Sequence, residues 1–93
     1  MVVARCRLHL RLYQAESLKD QRREVRSLVD RLRRKFNVSV AQLDGVASHR
    51  DIVLGISCIS NEHGQVVSTL DTVVRWVESH SSGELIDSDI EVF

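Results

Sequence analysis

The sequence predicts an α+β fold, a ferredoxin-like βαββαβ sandwich. In it a four-stranded antiparallel sheet of order 4-1-3-2 carries two helices on one face. Three observations predict this. Apolar residues alternate at period two in the strand segments, they recur at helical spacing in two others, and the segments follow one another as βαββαβ. Right-handed crossovers then place both helices on the same side and leave the other face of the sheet open.

The first strand covers Val2 to Tyr13. Val2, Ala4, Cys6, Leu8, Leu10 and Leu12 face one way, and Val3, Arg5, Arg7, His9, Arg11 and Tyr13 the other. The period changes at Ser17, a suitable N-cap with Asp20 in the capping-box position. Leu18, Val25, Leu28, Val29, Leu32 and Phe36 fall within about 80° on a helical wheel, so the first helix spans about Leu18 to Phe36. Asn37 suits the left-handed conformation that ends a helix.

Val38 to Leu43 forms a short second strand, and Asp44, Gly45 and the polar stretch through Arg50 lead to the third, Asp51 to Ser60. The third strand puts Ile52, Leu54, Ile56 and Cys58 on one face and Val53, Gly55, Ser57 and Ile59 on the other. Asn61 is placed to cap a second helix to about Ser79, with a stripe of Val66, Val67, Leu70, Val73, Val74 and Val77. Valine and threonine are weak helix formers, but the spacing is helical and too long for a strand. Gly83 stops this helix, and Leu85 to Phe93 reads as a fourth strand with Ile86, Ser88, Ile90 and Val92 facing in.

The 93 residues are expected to form one domain, 1–93, with no internal repeat, no Pro and no linker-length Gly/Ser tract. Arg5, Arg7, His9 and Arg11 interrupt any leading apolar run, which argues against a signal peptide. The longest near-apolar run, Ile52 to Ile59, is far below the ~20 residues of a membrane helix. A cytoplasmic protein with no membrane partner is the expectation.

Charge is the most uneven property of the chain. Residues 1–36 hold 11 bases and 4 acids, while residues 37–93 hold 2 bases and 9 acids, so a neutral chain divides into halves of +7 and −7. On the open face, Arg5, Arg7, His9 and Arg11 of strand 1 should lie across from Asp87, Asp89 and Glu91 of strand 4, forming a cross-strand ion ladder. The helix is different. Lys19, Arg22, Arg23, Arg26, Arg33 and Arg34 occupy one sector of roughly 120° beside the apolar stripe, with Asp30 as the only acid among them. Like pairs at Lys19–Arg23 and Arg22–Arg26 oppose the helix by about 0.2–0.5 kcal/mol each. The sector is therefore a nucleic-acid-binding candidate, set against a merely solvated face or a site for an acidic protein surface.

Other chemistries find little support. Cys6 and Cys58 read as buried thiols on neighbouring strands. His9, His49, His63 and His80 are dispersed, with no C-x-x-C or H-x-x-x-H, so no metal and no cofactor is expected. No phosphate-binding glycine pattern occurs, and Ser48, His49 and Asp51 are sequence neighbours on a loop, a poor basis for a triad. No catalytic residue and no small-molecule substrate is expected. Base stacking on the sheet is not expected either, because strand 3 offers Val53, Gly55, Ser57 and Ile59 where sheet-face RNA binders present aromatics. Leu43, Val53 and Ile59 on the open face, with Trp76 off the centre of its helix stripe, mark a possible homodimer interface.

Three segments, Ser17-Leu-Lys-Asp-Gln-Arg-Arg23, Phe36-Asn-Val-Ser39 and Leu54-Gly55 running to Ser60-Asn61, resemble the YlxP-like family of small bacterial proteins of unknown function. The resemblance covers essentially the whole chain and implies a ferredoxin-like fold, no established enzymatic activity, and genes often near those for translation initiation and ribosome maturation. Gln21 departs from the base common at its position, and the Gly45–Arg50 loop lacks the aromatic of many members. Composition and resemblance together lead to the expectation of a non-enzymatic RNA- or ribosome-associated factor using the basic helix on phosphates. A homo-oligomeric interaction module without a nucleic-acid role is the alternative.

Overall fold

In the computed structural model, which describes residues 1–43 and 48–93, the elements follow the order β1 (Val2–Arg11), α1 (Leu18–Lys35), β2 (Ser39–Leu43), β3 (Asp51–Ser60), α2 (His63–His80) and β4 (Glu84–Val92). The four strands form one sheet of order β2-β3-β1-β4, with all three pairings antiparallel. This is the expected ferredoxin-like βαββαβ arrangement. The first residues of the β2–β3 connection, Asp44 to Ala47, lie outside the described residues.

The core lies between the sheet and the helices. Ala4, Cys6, Leu8 and Leu10 of β1 and Ile52, Leu54 and Ile56 of β3 are buried on one face by the strand alternation. Val25, Leu28, Val29 and Leu32 of α1 and Val66, Leu70, Val73 and Val77 of α2 meet them. Removing each such side chain from water contributes about 1.5–3 kcal/mol. That burial is why α2 is helical despite its valines: tertiary packing of one stripe outweighs weak local propensity.

The helix ends differ from the sequence reading. Ser17 Oγ accepts from Asp20 N at 3.1 Å, as an N-cap should, but Asp20 Oδ2 accepts from Glu16 N at 3.0 Å, so the capping box does not close on Ser17. Leu18 is 55% exposed, and Gln21 takes the buried place on that turn. At the far end Phe36 is extended (φ −125°) and donates its N–H to Leu32 O at 2.9 Å, so the helix closes without a left-handed residue at its cap. The α2 N-cap is Glu62, with no side-chain cap bond, where Asn61 was expected.

A bulge corrects the facing of β4. His9 pairs with Asp87 but Leu10 pairs with Leu85, so Ile86 is the extra residue. Leu85 packs on the core, whereas Ile86 is 37% exposed. Gly83 makes the approach to this strand possible, since a Cβ there would lie 2.7 Å from both Arg11 O and Leu12 Cδ2.

Candidate nucleic-acid interface

Amphipathic spacing fixes what α1 presents to solvent. With Val25, Leu28, Val29 and Leu32 turned to the sheet, Lys19, Arg22, Arg23, Arg26 and Arg34 stand exposed on the outer side. Lys19, Arg22, Arg23 and Arg26 line one shallow trough with Ser27 and Asp30, of about 420 Å³. The four cations cover about 10 Å of helix at 1.5 Å per residue. None of them, nor Arg34, lies within 4 Å of a carboxylate among the described residues. Arg33 is set apart, because its Nη2 donates to Val40 O at 2.9 Å and ties the helix to the edge strand β2.

Of the two remaining bases of α1, Lys35 lies 5.9 Å from the Phe36 ring, and Arg31 joins the two helices. Arg31 sits 5.6 Å from the Trp76 ring and donates to His80 O at 3.3 Å. Trp76 stacks on His80 at 4.6 Å and meets Phe36 edge to face at 6.1 Å. Trp76 is thus an intramolecular rim residue where the two helices meet. Of the other residues read as interface, Val53 is only 4% exposed, whereas Leu43 (40%) and Ile59 (58%) are open.

The β1 cations are held more tightly, though not all by β4. Arg5 bonds to Asp89 at 3.4 Å and Glu91 at 3.3 Å, as the ladder predicts. His9 Nε2 and Arg11 Nε both donate to one oxygen of Asp51, at 2.9 and 3.0 Å, so their partner comes from β3. The hydrogen bond from His9, reinforced by Arg11, holds the Asp51 carboxyl below its ordinary range despite the opposing effect of burial. Arg7 faces Asp89 in register but forms no ion pair among the described residues.

Gln21, noted in the sequence only as a departure from the resembled family, has a role that sequence reasoning did not assign. It is the one polar residue buried among the described positions, and its Nε2 donates to the carbonyls of Ser48 (3.2 Å), His49 (2.9 Å) and Asp51 (3.4 Å). Gln42 donates to its Oε1 at 3.4 Å. Gln21 therefore anchors α1 to the start of β3, where Asp51 sits. Its only signal in the sequence is an amide one turn before Val25 on the buried side.

The thiols are suited to packing. Burial pushes the Cys6 thiol up to about 11 and raises that of half-buried Cys58, which keeps both protonated and poorly nucleophilic. Among the described residues no three His, Cys, Asp or Glu cluster to hold a metal, and no helix is long and apolar enough to cross a membrane.

Fold and site together define a small ferredoxin-like domain whose first helix carries a row of cations without ion-pair partners among the described residues. The chain belongs to the family described as "protein of unknown function (DUF503)", whose model matches residues 3–90. The uncharacterized protein YlxP of Bacillus subtilis (strain 168) is 28% identical over 68 residues, covering 73% of this chain and 74% of that one. Among solved structures, the de novo designed protein Foldit4 aligns with a TM-score of 0.52 at 12% identity, covering 99% of this chain and 94% of its own. TA0507, whose crystal structure bears a provisional chlorite dismutase description, aligns with a TM-score of 0.56 at 16% identity. That alignment covers 99% of this chain, which spans 44% of the TA0507 chain. At these identities the two structures speak for the fold alone.

Proposed function

We propose that this protein is a non-enzymatic RNA- or ribosome-associated factor that contacts phosphates through α1. The observation that carries the reading is the row of Lys19, Arg22, Arg23 and Arg26, exposed in one trough with no carboxylate within 4 Å among the described residues. A row of cations that repel one another gains from a polyanion, whose phosphates neutralise them and release counterions. Such contacts position a partner without reading sequence. Arg34 extends the row, while Arg33 is held toward β2 by its bond to Val40 O.

Fluorescence anisotropy with a labelled single-stranded RNA at low salt tests the reading. The wild type binds, and the folded Arg22→Glu/Arg23→Glu/Arg26→Glu variant binds at least about 100-fold more weakly; equal affinity of the two contradicts it. The second reading, a homo-oligomeric module, draws on exposed Leu43 and Ile59 on the open face. Under that reading light scattering detects a dimer that Leu43→Asp dissociates, and the protein has no affinity for RNA.

A further inference from the structure

We infer that the open face of the sheet carries a second binding site, for a small flat amphipathic monoanion, in the trough between β1 and β2. The cross-strand register builds it. Arg5, Ser57 and Ser39 stand side by side on β1, β3 and β2, and the next row is Arg7, Gly55 and Ala41. Gly55 and Ala41 carry the two smallest side chains available, so the floor drops between the arginine wall and Leu43. The resulting trough measures about 420 Å³, within the ~300–1,000 Å³ usual for small-molecule sites.

Gly55 is needed for that shape. A Cβ on it would lie 3.1–3.3 Å from the Leu43 side-chain carbons, tighter than ordinary contact. The floor and end wall are therefore apolar and pair naturally with a flat apolar body about two strands wide, the strands being roughly 4.8 Å apart.

The charged groups stand on the β1 side, with Ser57 next to them on β3. Arg5 is committed to Asp89 and Glu91. Arg7 is exposed and makes no ion pair among the described residues, although Asp89 is its cross-strand neighbour and Asp87 lies close by. Among the described residues no carboxylate lines the trough itself, so Arg7 offers one positive charge there, while Asp87 and Asp89 on its β4 side disfavour a second negative charge. The Ser57 and Ser39 hydroxyls form no side-chain hydrogen bond among the described residues; Ser57, on the strand next to Arg7, can donate to the same head group, whereas Ser39 lies a further strand away. The site involves none of the α1 cations, so it stands or falls apart from RNA binding.

Titration with naphthalene-2-sulfonate, a flat aromatic body with one sulfonate, followed by amide chemical shifts, tests the inference. Saturable one-site binding is expected, with shifts centred on Ala41, Gly55 and Ser57. Arg7→Gln should weaken it at least about tenfold, the usual cost of losing a charged hydrogen bond. Gly55→Val and Ala41→Val should each weaken it comparably by filling the floor, and the second keeps the test valid should the first not fold. Arg75→Gln, on α2, should bind as the wild type does. Shifts spread over the helices, or wild-type affinity in Arg7→Gln and Ala41→Val, would overturn the inference. So would light scattering that shows a dimer dissociated by the probe, since a second copy would then be the occupant.

Discussion

Arg5, His9 and Arg11 of β1 and the outer cations of α1 come from the same basic half of the chain but meet opposite environments, with Arg7 the exception on β1. On β1, Arg5 and Arg11 are within 3.4 Å of carboxylates supplied by β4 and β3, and His9 shares the Asp51 carboxylate with Arg11. On α1, Lys19, Arg22, Arg23 and Arg26 line a trough of their own without such partners among the described residues. Net charge is the same in sign and similar in density, so density alone does not identify a binding surface. What separates the two groups is whether the fold itself brings acids to them. A strand receives its acids from both neighbours in the sheet, whereas the outer side of a helix receives none from the elements beneath it.

The largest test of this contrast is the triple reversal Arg22→Glu/Arg23→Glu/Arg26→Glu. RNA affinity should fall by at least about 100-fold at low salt, measured by anisotropy. Thermal unfolding should meanwhile stay within about 0.5 kcal/mol of wild type, because the replaced pairs were already like-charged. A variant that unfolds would instead make the α1 cations structural.

Next comes Gln21→Ala, which touches the link between the two regions. It removes the amide shared by the Ser48, His49 and Asp51 carbonyls, of which Ser48 O keeps the Asp51 N–H, and should cost about 1–2 kcal/mol in chemical denaturation, with RNA affinity unchanged.

Asp51→Asn probes the paired group through pH. A carboxyl held below its ordinary value contributes stability that is present above the unfolded-state range and lost as pH falls through the folded value. The wild type should thus unfold at higher temperature than Asp51→Asn at neutral pH, with the gap closing in acid. A gap that persists unchanged at low pH would show that the carboxylate charge is not what stabilises β1.

Arg5→Gln should have the smallest effect, below about 1 kcal/mol, because its ion pairs are half-exposed and screened. RNA affinity should remain within about twofold of wild type.

The fold was legible because both periods are clean: strict alternation from Val2 to Leu12 and helical stripes around Leu28 and Leu70. The β4 register was not, since a bulge at Ile86 shifts one residue without altering composition. The partner of His9 and Arg11 was misplaced for a different reason. The ladder drawn from sequence used β4 alone, whereas Asp51, directly opposite Arg11 on β3, takes both. The basic stripe of α1 was readable from helix geometry alone, but Arg33's bond to Val40 O and Gln21's to three carbonyls depend on chain segments brought together only by folding. The depression at Gly55 was invisible as well, because it arises from two small residues on adjacent strands.

The salt dependence of single-stranded RNA binding tests the central claim most directly. If Lys19, Arg22, Arg23 and Arg26 each neutralise one phosphate, log K should fall against log salt with a slope of about −3, and the triple reversal should reduce that slope by about 2. No measurable affinity at low salt would contradict the account. So would a slope that the α1 reversal leaves intact and Arg5→Gln flattens.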